Sequence, residues 1–248
     1  MELKELIDLS NRAFQEKNFQ KVIELLTKVI VLQPDRYEIY LRLGLASSSL
    51  GKLEEAIGYF EKGASINPNS SPIYCNLGNL YAELNNKNLA LKNYFRAVEI
   101  DPKNFNANYN LGSYYYKIDD VENAEKYLNL AINITPNHIY PYNSLFLLYD
   151  RSNNYKKLEE ILKKAKNFFP ENSLINFFEG IVEYRNKNFK IAIDIFLKAD
   201  LDKKDISRNM LKTNYLAKSY DNLGLYQEAY KFFEISNKIS EELPKNDS

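Results

Sequence analysis

Five prolines, Pro34, Pro68, Pro102, Pro136 and Pro170, stand 34 residues apart without a slip. A period that strict means that one supersecondary unit has been copied and stacked. A single copy cannot bury its own apolar face, so neighbouring copies must cover one another. Such an array presents an extended surface more readily than an enclosed catalytic pocket.

A finer pattern runs between the prolines. The block that ends at Pro102 reads Tyr74-x2-Leu77-Gly78-x2-Tyr81, then Ala90-x3-Tyr94-x2-Ala97. The block before it carries Tyr40, Leu43, Gly44, Ala56, Phe60 and Gly63; the block after it carries Leu111, Gly112, Tyr115, Ala124, Leu128 and Ala131. Spacings of three and four place these residues on one face of an α-helix. Each block therefore holds two amphipathic helices joined by a short polar turn, such as Asn85-Asn86-Lys87-Asn88. The proline follows the second helix, which it cannot continue. Gly44, Gly78 and Gly112 fall inside the first helix, where glycine costs about 1 kcal/mol against alanine. Close helix packing is expected to offset that cost.

With its Leu-Gly, Tyr, Ala, aromatic, Ala and Pro positions, the block resembles the tetratricopeptide repeat. The match is strongest over residues 37–138. The full expectation is an all-α, right-handed superhelical solenoid of seven helix-turn-helix repeats over residues 1–243. The repeats are 3–36, 37–70, 71–104, 105–138, 139–172, 173–206 and, after a three-residue insertion, 210–243; a polar tail follows at 244–248. Repeat one is looser, with Ser10 in the glycine slot. Repeat five places Phe146 where glycine belongs, and repeat six has Lys204 in the proline slot.

Composition narrows the function. The chain has 33 basic and 33 acidic side chains, so bulk charge offers no case for a nucleic-acid partner. No run approaches 18 apolar residues, which argues against a membrane-spanning helix. Lys156, Lys157, Lys163, Lys164 and Lys166 make one helix of repeat five basic, the usual mark of a solvated face. The N-terminal Met1-Glu2-Leu3-Lys4-Glu5 has no signal-like apolar stretch, and a cytoplasmic location is expected.

The residues do not assemble into a catalytic pattern. His138 is the only histidine and falls in a turn, and Cys75 is the only cysteine and has no histidine near it in sequence. No Cys/His spacing suggests zinc and no glycine-rich phosphate loop occurs. The expectation is a non-enzyme without cofactor or metal.

The resemblance also implies a binding groove. In this family the first helices line a concave face through positions two, five, six, nine, twelve and thirteen of each repeat. Here those positions supply Arg42; Cys75, Asn76, Asn79 and Glu83; Asn106, Tyr109, Asn110, Tyr116 and Lys117; and Tyr140, Asn143, Ser144 and Arg151. An asparagine offers an acceptor and two donors, enough to grip both polar groups of an extended peptide backbone. Asn76 and Asn110 resemble the asparagine ladder of protein O-GlcNAc transferase repeats, with Arg42 and Ser144 breaking it on either side. The alternative is that an asparagine-rich chain places some there by composition alone. The carboxylate clamp of chaperone cochaperones is matched only at Asn79 and Asn110, because Cys75, Tyr140 and Ser144 replace its basic residues. The implied partner is a protein or extended peptide.

The last helix carries Tyr230, Phe232, Phe233, Ile235 and Ile239, more apolar surface than one neighbour can cover. Self-association or an attached domain is expected there. The segment Tyr215 to Tyr230 resembles the final repeat ahead of the catalytic domain in bacterial repeat-linked sulfotransferases. The second functional reading is therefore a substrate-recruiting module of a larger sulfotransferase-like or glycosyltransferase-like enzyme.

Overall fold

A computed structural model describes residues 2–241, and these hold fourteen α-helices and no strand. The expected polar tail at 244–248 lies outside the described residues. The chain forms two compact units, one ending at Thr135 and the other starting at Pro136. The first unit contains α1 (Leu3–Gln15), α2 (Phe19–Leu32), α3 (Tyr37–Ser49), α4 (Leu53–Ile66), α5 (Ser71–Glu83), α6 (Lys87–Ile100), α7 (Phe105–Lys117) and α8 (Val121–Ile134). The second contains α9 (Ile139–Arg151), α10 (Tyr155–Lys166), α11 (Ser173–Arg185), α12 (Phe189–Lys198), α13 (Ile206–Asn222) and α14 (Tyr226–Glu241). Within each unit, consecutive helices pack as hairpins and each hairpin packs on the next.

The prolines act through the residue before them. Pro34, Pro68, Pro102 and Pro136 each follow the last helical residue by two positions. The intervening Gln33, Asn67, Asp101 and Thr135 have φ of −136°, −126°, −139° and −136°. The proline ring disfavours helical backbone at the preceding residue, so the helix must stop there.

The turn inside each hairpin repeats as strictly. Lys17, Gly51, Asn85, Asp119, Asn153 and Lys187 all adopt left-handed backbone, with φ between 53° and 73°, and Gly224 continues the series at 74°. The interval is 34 residues up to Lys187 and 37 thereafter. The three extra residues enter between α12 and α13. There α12 stops at Lys198, and the Lys212 ammonium donates to the Ala199 carbonyl at 2.8 Å. A cation at a helix C-terminus suits the negative end of the helix dipole. Burial nevertheless lowers the pKa of Lys212.

Much of the asparagine content serves these helix starts. The side chains of Asn18, Asn86, Asn104, Asn154 and Asn172 each accept a hydrogen bond from a backbone N–H in the first turn that follows. Asp120 and Asp205 do the same. These caps satisfy donors that the helix leaves unpaired.

The glycines in the first helices are close-packing sites. A methyl group on Gly44 would lie 2.5 Å from the Phe60 ring, and one on Gly78 would lie 2.5 Å from the Tyr94 ring. On Gly112 it would meet the Leu128 backbone nitrogen at 2.8 Å, and on Gly180 the Phe196 ring at 2.5 Å. Each glycine thus seats the large residue of its own second helix. Repeats one and five solve the seam differently. Ser10 is buried and donates to the Ile7 carbonyl at 2.7 Å, opposite Leu26. Phe146 is fully buried against Phe178, with ring centroids 5.4 Å apart.

At the first aromatic position, Tyr40 and Tyr142 are buried, but repeat four has Asn108, also fully buried. Asn108 donates through Nδ2 to the carbonyls of Pro102 and Asn104, at 3.0 and 2.9 Å. The Tyr142 hydroxyl reaches the corresponding proline carbonyl, Pro136, at 3.0 Å. Two different side chains therefore pin the same inter-repeat turn. Of the triplet Tyr114-Tyr115-Tyr116, the first two are buried and Tyr116 is half-buried. Three successive helical residues cannot all face one core.

α14 buries Ala229 and Ser236 and stacks Phe232 on Tyr220, with centroids 5.4 Å apart. It leaves Tyr226 and Tyr230 exposed, at 70% and 64%.

Candidate binding face

The face shared by α1, α3, α5 and α7 combines exposed polar residues with apolar ones that also pack against the hairpin cores. Between α1 and α3 it holds an open depression of about 620 Å³. Phe14, Leu41 and Leu45 give it apolar walls, and Asn11, Glu38 and Arg42 give it polar ones. The Arg42 guanidinium donates to Asn11 Oδ1, which holds the cation against the neighbouring helix. The expected groove set names Arg42 alone of these, although Asn11, Phe14, Glu38, Leu41 and Leu45 stand at the same groove positions of repeats one and two. Phe14, Leu41 and Leu45 are half-buried and also pack against the hairpin cores.

Further along the first unit, Asn76 and Asn110 are half-buried at equivalent points of α5 and α7. Asn76 donates through Nδ2 to the Pro72 carbonyl at 2.8 Å, leaving Oδ1 and one N–H. Asn93, Asn129 and Asn222 make the same bond to the carbonyl four residues back, so this contact is a habit of the chain's helical asparagines. Asn79 is exposed, and its Oδ1 accepts from the buried Tyr94 hydroxyl at 2.7 Å. It therefore braces the ring that fills the Gly78 seat. Glu83 and Lys117 are exposed, and Tyr116 is half-buried. Tyr109 is half-buried and stacks on Phe105, with centroids 5.9 Å apart.

Cys75 does not join them. It is buried with Ala97 and Ala107, packed against Tyr74 and Val98. Two alanines let the helices close over a position that the repeat pattern turns outward. Burial, as the largest cause, pushes its thiol up from 9.0 to about 11. That shift leaves about a hundredfold less thiolate than a free thiol below pH 9. Cys75 is accordingly expected to resist maleimide labelling in buffer and to react within minutes in denaturant, as read by mass spectrometry.

In the second unit, Asn143 and Ser144 are half-buried on α9, while Tyr140 and Arg151 are exposed. The Asn143 Oδ1 is shielded from solvent without a hydrogen-bond partner. A cluster outside the expected set lies on α10, α11 and α13. The Arg185 guanidinium sits over the Tyr155 ring at 5.1 Å and meets the Tyr215 hydroxyl at 3.4 Å. Tyr184 packs edge-on to Tyr215, with centroids 5.0 Å apart. Burial raises the pKa of Asp150 nearby, and the Arg185 charge opposes that shift. This cluster ties three successive hairpins together.

His138, expected in a turn, is half-buried just before α9 against the Tyr140 ring, 5.0 Å between centroids. The basic stretch of α10 is exposed as expected. Lys163 pairs with Glu159 at 2.7 Å and Lys166 with Glu179 at 2.8 Å. Among the described residues no group of three or more His, Cys, Asp or Glu is placed to hold a metal ion. No described helix is long and apolar enough to cross a membrane.

Models of the tetratricopeptide repeat match residues 37–70, 71–104 and 105–138. Residues 37–138 are tetratricopeptide repeats. The same fold extends beyond them. The C-terminal part of a tetratricopeptide repeat-containing protein from Cytophaga hutchinsonii aligns with a TM-score of 0.76, at 18% identity, covering 96% of each chain. A tetratricopeptide repeat protein from Parabacteroides merdae aligns with a TM-score of 0.65 at 18% identity, covering 98% of this chain and 94% of its own. YrrB, described as a tetratricopeptide repeat protein with an unusual peptide-binding site, aligns at 0.60 and 18% identity over 75% of this chain and 96% of its own. No curated protein matches the chain. The three structures named concern the repeats, and none bears on the sulfotransferase-linked likeness of the last helix pair.

Proposed function

We propose that this tetratricopeptide repeat chain is a protein-binding scaffold whose first-helix face takes an extended segment of a partner. The observation that carries the reading is the depression between α1 and α3, where apolar walls and the Asn11–Arg42 pair form an anchoring site. Glu83, Tyr109, Tyr116 and Lys117 supply side-chain selectivity farther along the first unit, and Asn76, Asn79 and Asn110 supply backbone contacts. Asn143 and Arg151 offer the same chemistry in the second unit. The unusual peptide-binding site described for YrrB is consistent with this use of the fold.

The test is a peptide-library pull-down followed by titration of a selected peptide. Each asparagine-to-backbone hydrogen bond contributes about 1 kcal/mol, so Asn76→Ala/Asn110→Ala is expected to weaken binding by about tenfold or more. Unchanged affinity in that variant would remove the ladder. Unchanged affinity in Arg42→Ala as well would remove the face itself.

A further inference from the structure

On the opposite side of the first unit, an open depression of about 630 Å³ lies between α4 and α6, floored by α5. What makes it informative is the equivalent place one repeat later. There Phe95 packs edge-on to Tyr115 and Tyr127, with centroids 6.3 and 6.4 Å away. Tyr115 and Tyr127 stack at 5.9 Å with planes 9° apart, and the Lys126 ammonium lies 5.0 Å over the Tyr127 ring. Three rings and a cation occupy that place, and Phe95, still 38% exposed, also edges the open depression.

Moving back 34 residues replaces Phe95, Tyr115, Lys126 and Tyr127 by Glu61, Tyr81, Lys92 and Asn93. The floor tyrosine and the lysine are kept, while the two rings between which they worked are gone. Ala64 stands where the later repeat has Val98, which widens the opening. All five early residues line the depression. The Tyr81 hydroxyl donates to Glu61 Oε1 at 3.1 Å, and Asn93 donates through Nδ2 to the Leu89 carbonyl. Glu61 and Asn93 each keep an acceptor oxygen.

We propose that this depression takes the aromatic side chain of a partner protein, a tryptophan or tyrosine, as a second binding site on the face away from the groove. The ring stacks on Tyr81 as Tyr127 stacks on Tyr115, and it lies under Lys92 as Tyr127 lies under Lys126. Ring stacking and a cation over a ring face are both favourable. The ring's N–H or O–H donates to Glu61 or Asn93, which explains why polar residues replaced the two lost rings. The site stands independently of the groove reading.

The chain has no tryptophan, so indole signals belong wholly to an added probe. N-acetyl-tryptophanamide is expected to give saturable amide shifts at Tyr81, Lys92 and Asn93 in NMR spectra of the full chain, whereas N-acetyl-leucinamide gives none. Glu61→Phe/Asn93→Tyr rebuilds the later repeat's filling and is expected to weaken the probe at least about tenfold. If that variant misfolds, Tyr81→Leu, which keeps an apolar floor without a stacking partner, decides the matter by the same loss. The Asn76→Ala/Asn110→Ala variant is expected to bind the probe unchanged. No saturable shifts, or shifts that persist in the filled variant, would overturn the site. Free indole binding as tightly as a tryptophan-containing peptide would overturn the partner-protein assignment.

Discussion

Replacing Phe146 by glycine, the residue that the repeat pattern favours at that position, is expected to cost about 4–6 kcal/mol of stability. The pattern treats glycine here as a seat for a large residue on the second helix. Repeat five inverts the pair: Phe146 is fully buried on the first helix, and Leu162 fills the opposing position. Deleting the ring opens a cavity beside Phe178, and the glycine adds its own helix penalty. Urea unfolding followed by circular dichroism measures the loss. The double variant Phe146→Gly/Leu162→Phe moves the ring to the side that Phe60, Tyr94 and Phe196 occupy in other repeats. It is expected to recover a substantial part of the stability. A double variant no better than the single one would show that the two seam designs are not interchangeable.

The second large effect sets two glycines of one unit against each other. Gly78→Ala is expected to destabilise by about 2 kcal/mol despite the better helix propensity of alanine. Its methyl carbon would start 2.5 Å from Tyr94, and that ring is buried and tied by its hydroxyl to Asn79. Gly58→Ala is expected to stabilise by up to about 1 kcal/mol, because nothing lies within 4 Å of its added carbon. The same urea experiment checks both, and equal signs for the two substitutions would sink the close-packing account. Because repeat stacks depart from all-or-none unfolding, the midpoint and the slope should be compared together.

These two cases mark where reading the chain succeeds and where it stops. Gly44, Gly78 and Gly112 were legible because a glycine inside a helix carries a cost that only close approach offsets. Phe146 was not, since a departure from the pattern does not say whether the partner residue has changed to match. Cys75 failed for a related reason. Its repeat position points outward on a lone hairpin, but its burial depends on Ala107 in the next repeat. The depression between α1 and α3 stands on groove positions of repeats one and two, but Phe14, Leu41 and Leu45 also pack against the hairpin cores, and only the placed helices show that they keep an open side.

By itself, the sequence determined the local framework. Proline forces the preceding residue out of helical backbone, and the left-handed turn recurs with the same period. Asparagine and aspartate caps start many of the helices. All of these act over a few residues, so the chain's own order specifies them. Only tertiary structure decided which face of each helix is covered, because coverage is set by the volumes of residues one repeat away. The Glu61, Tyr81, Lys92 and Asn93 depression is the plainest instance: each residue alone is unremarked, and the missing rings show only beside the filled site that follows.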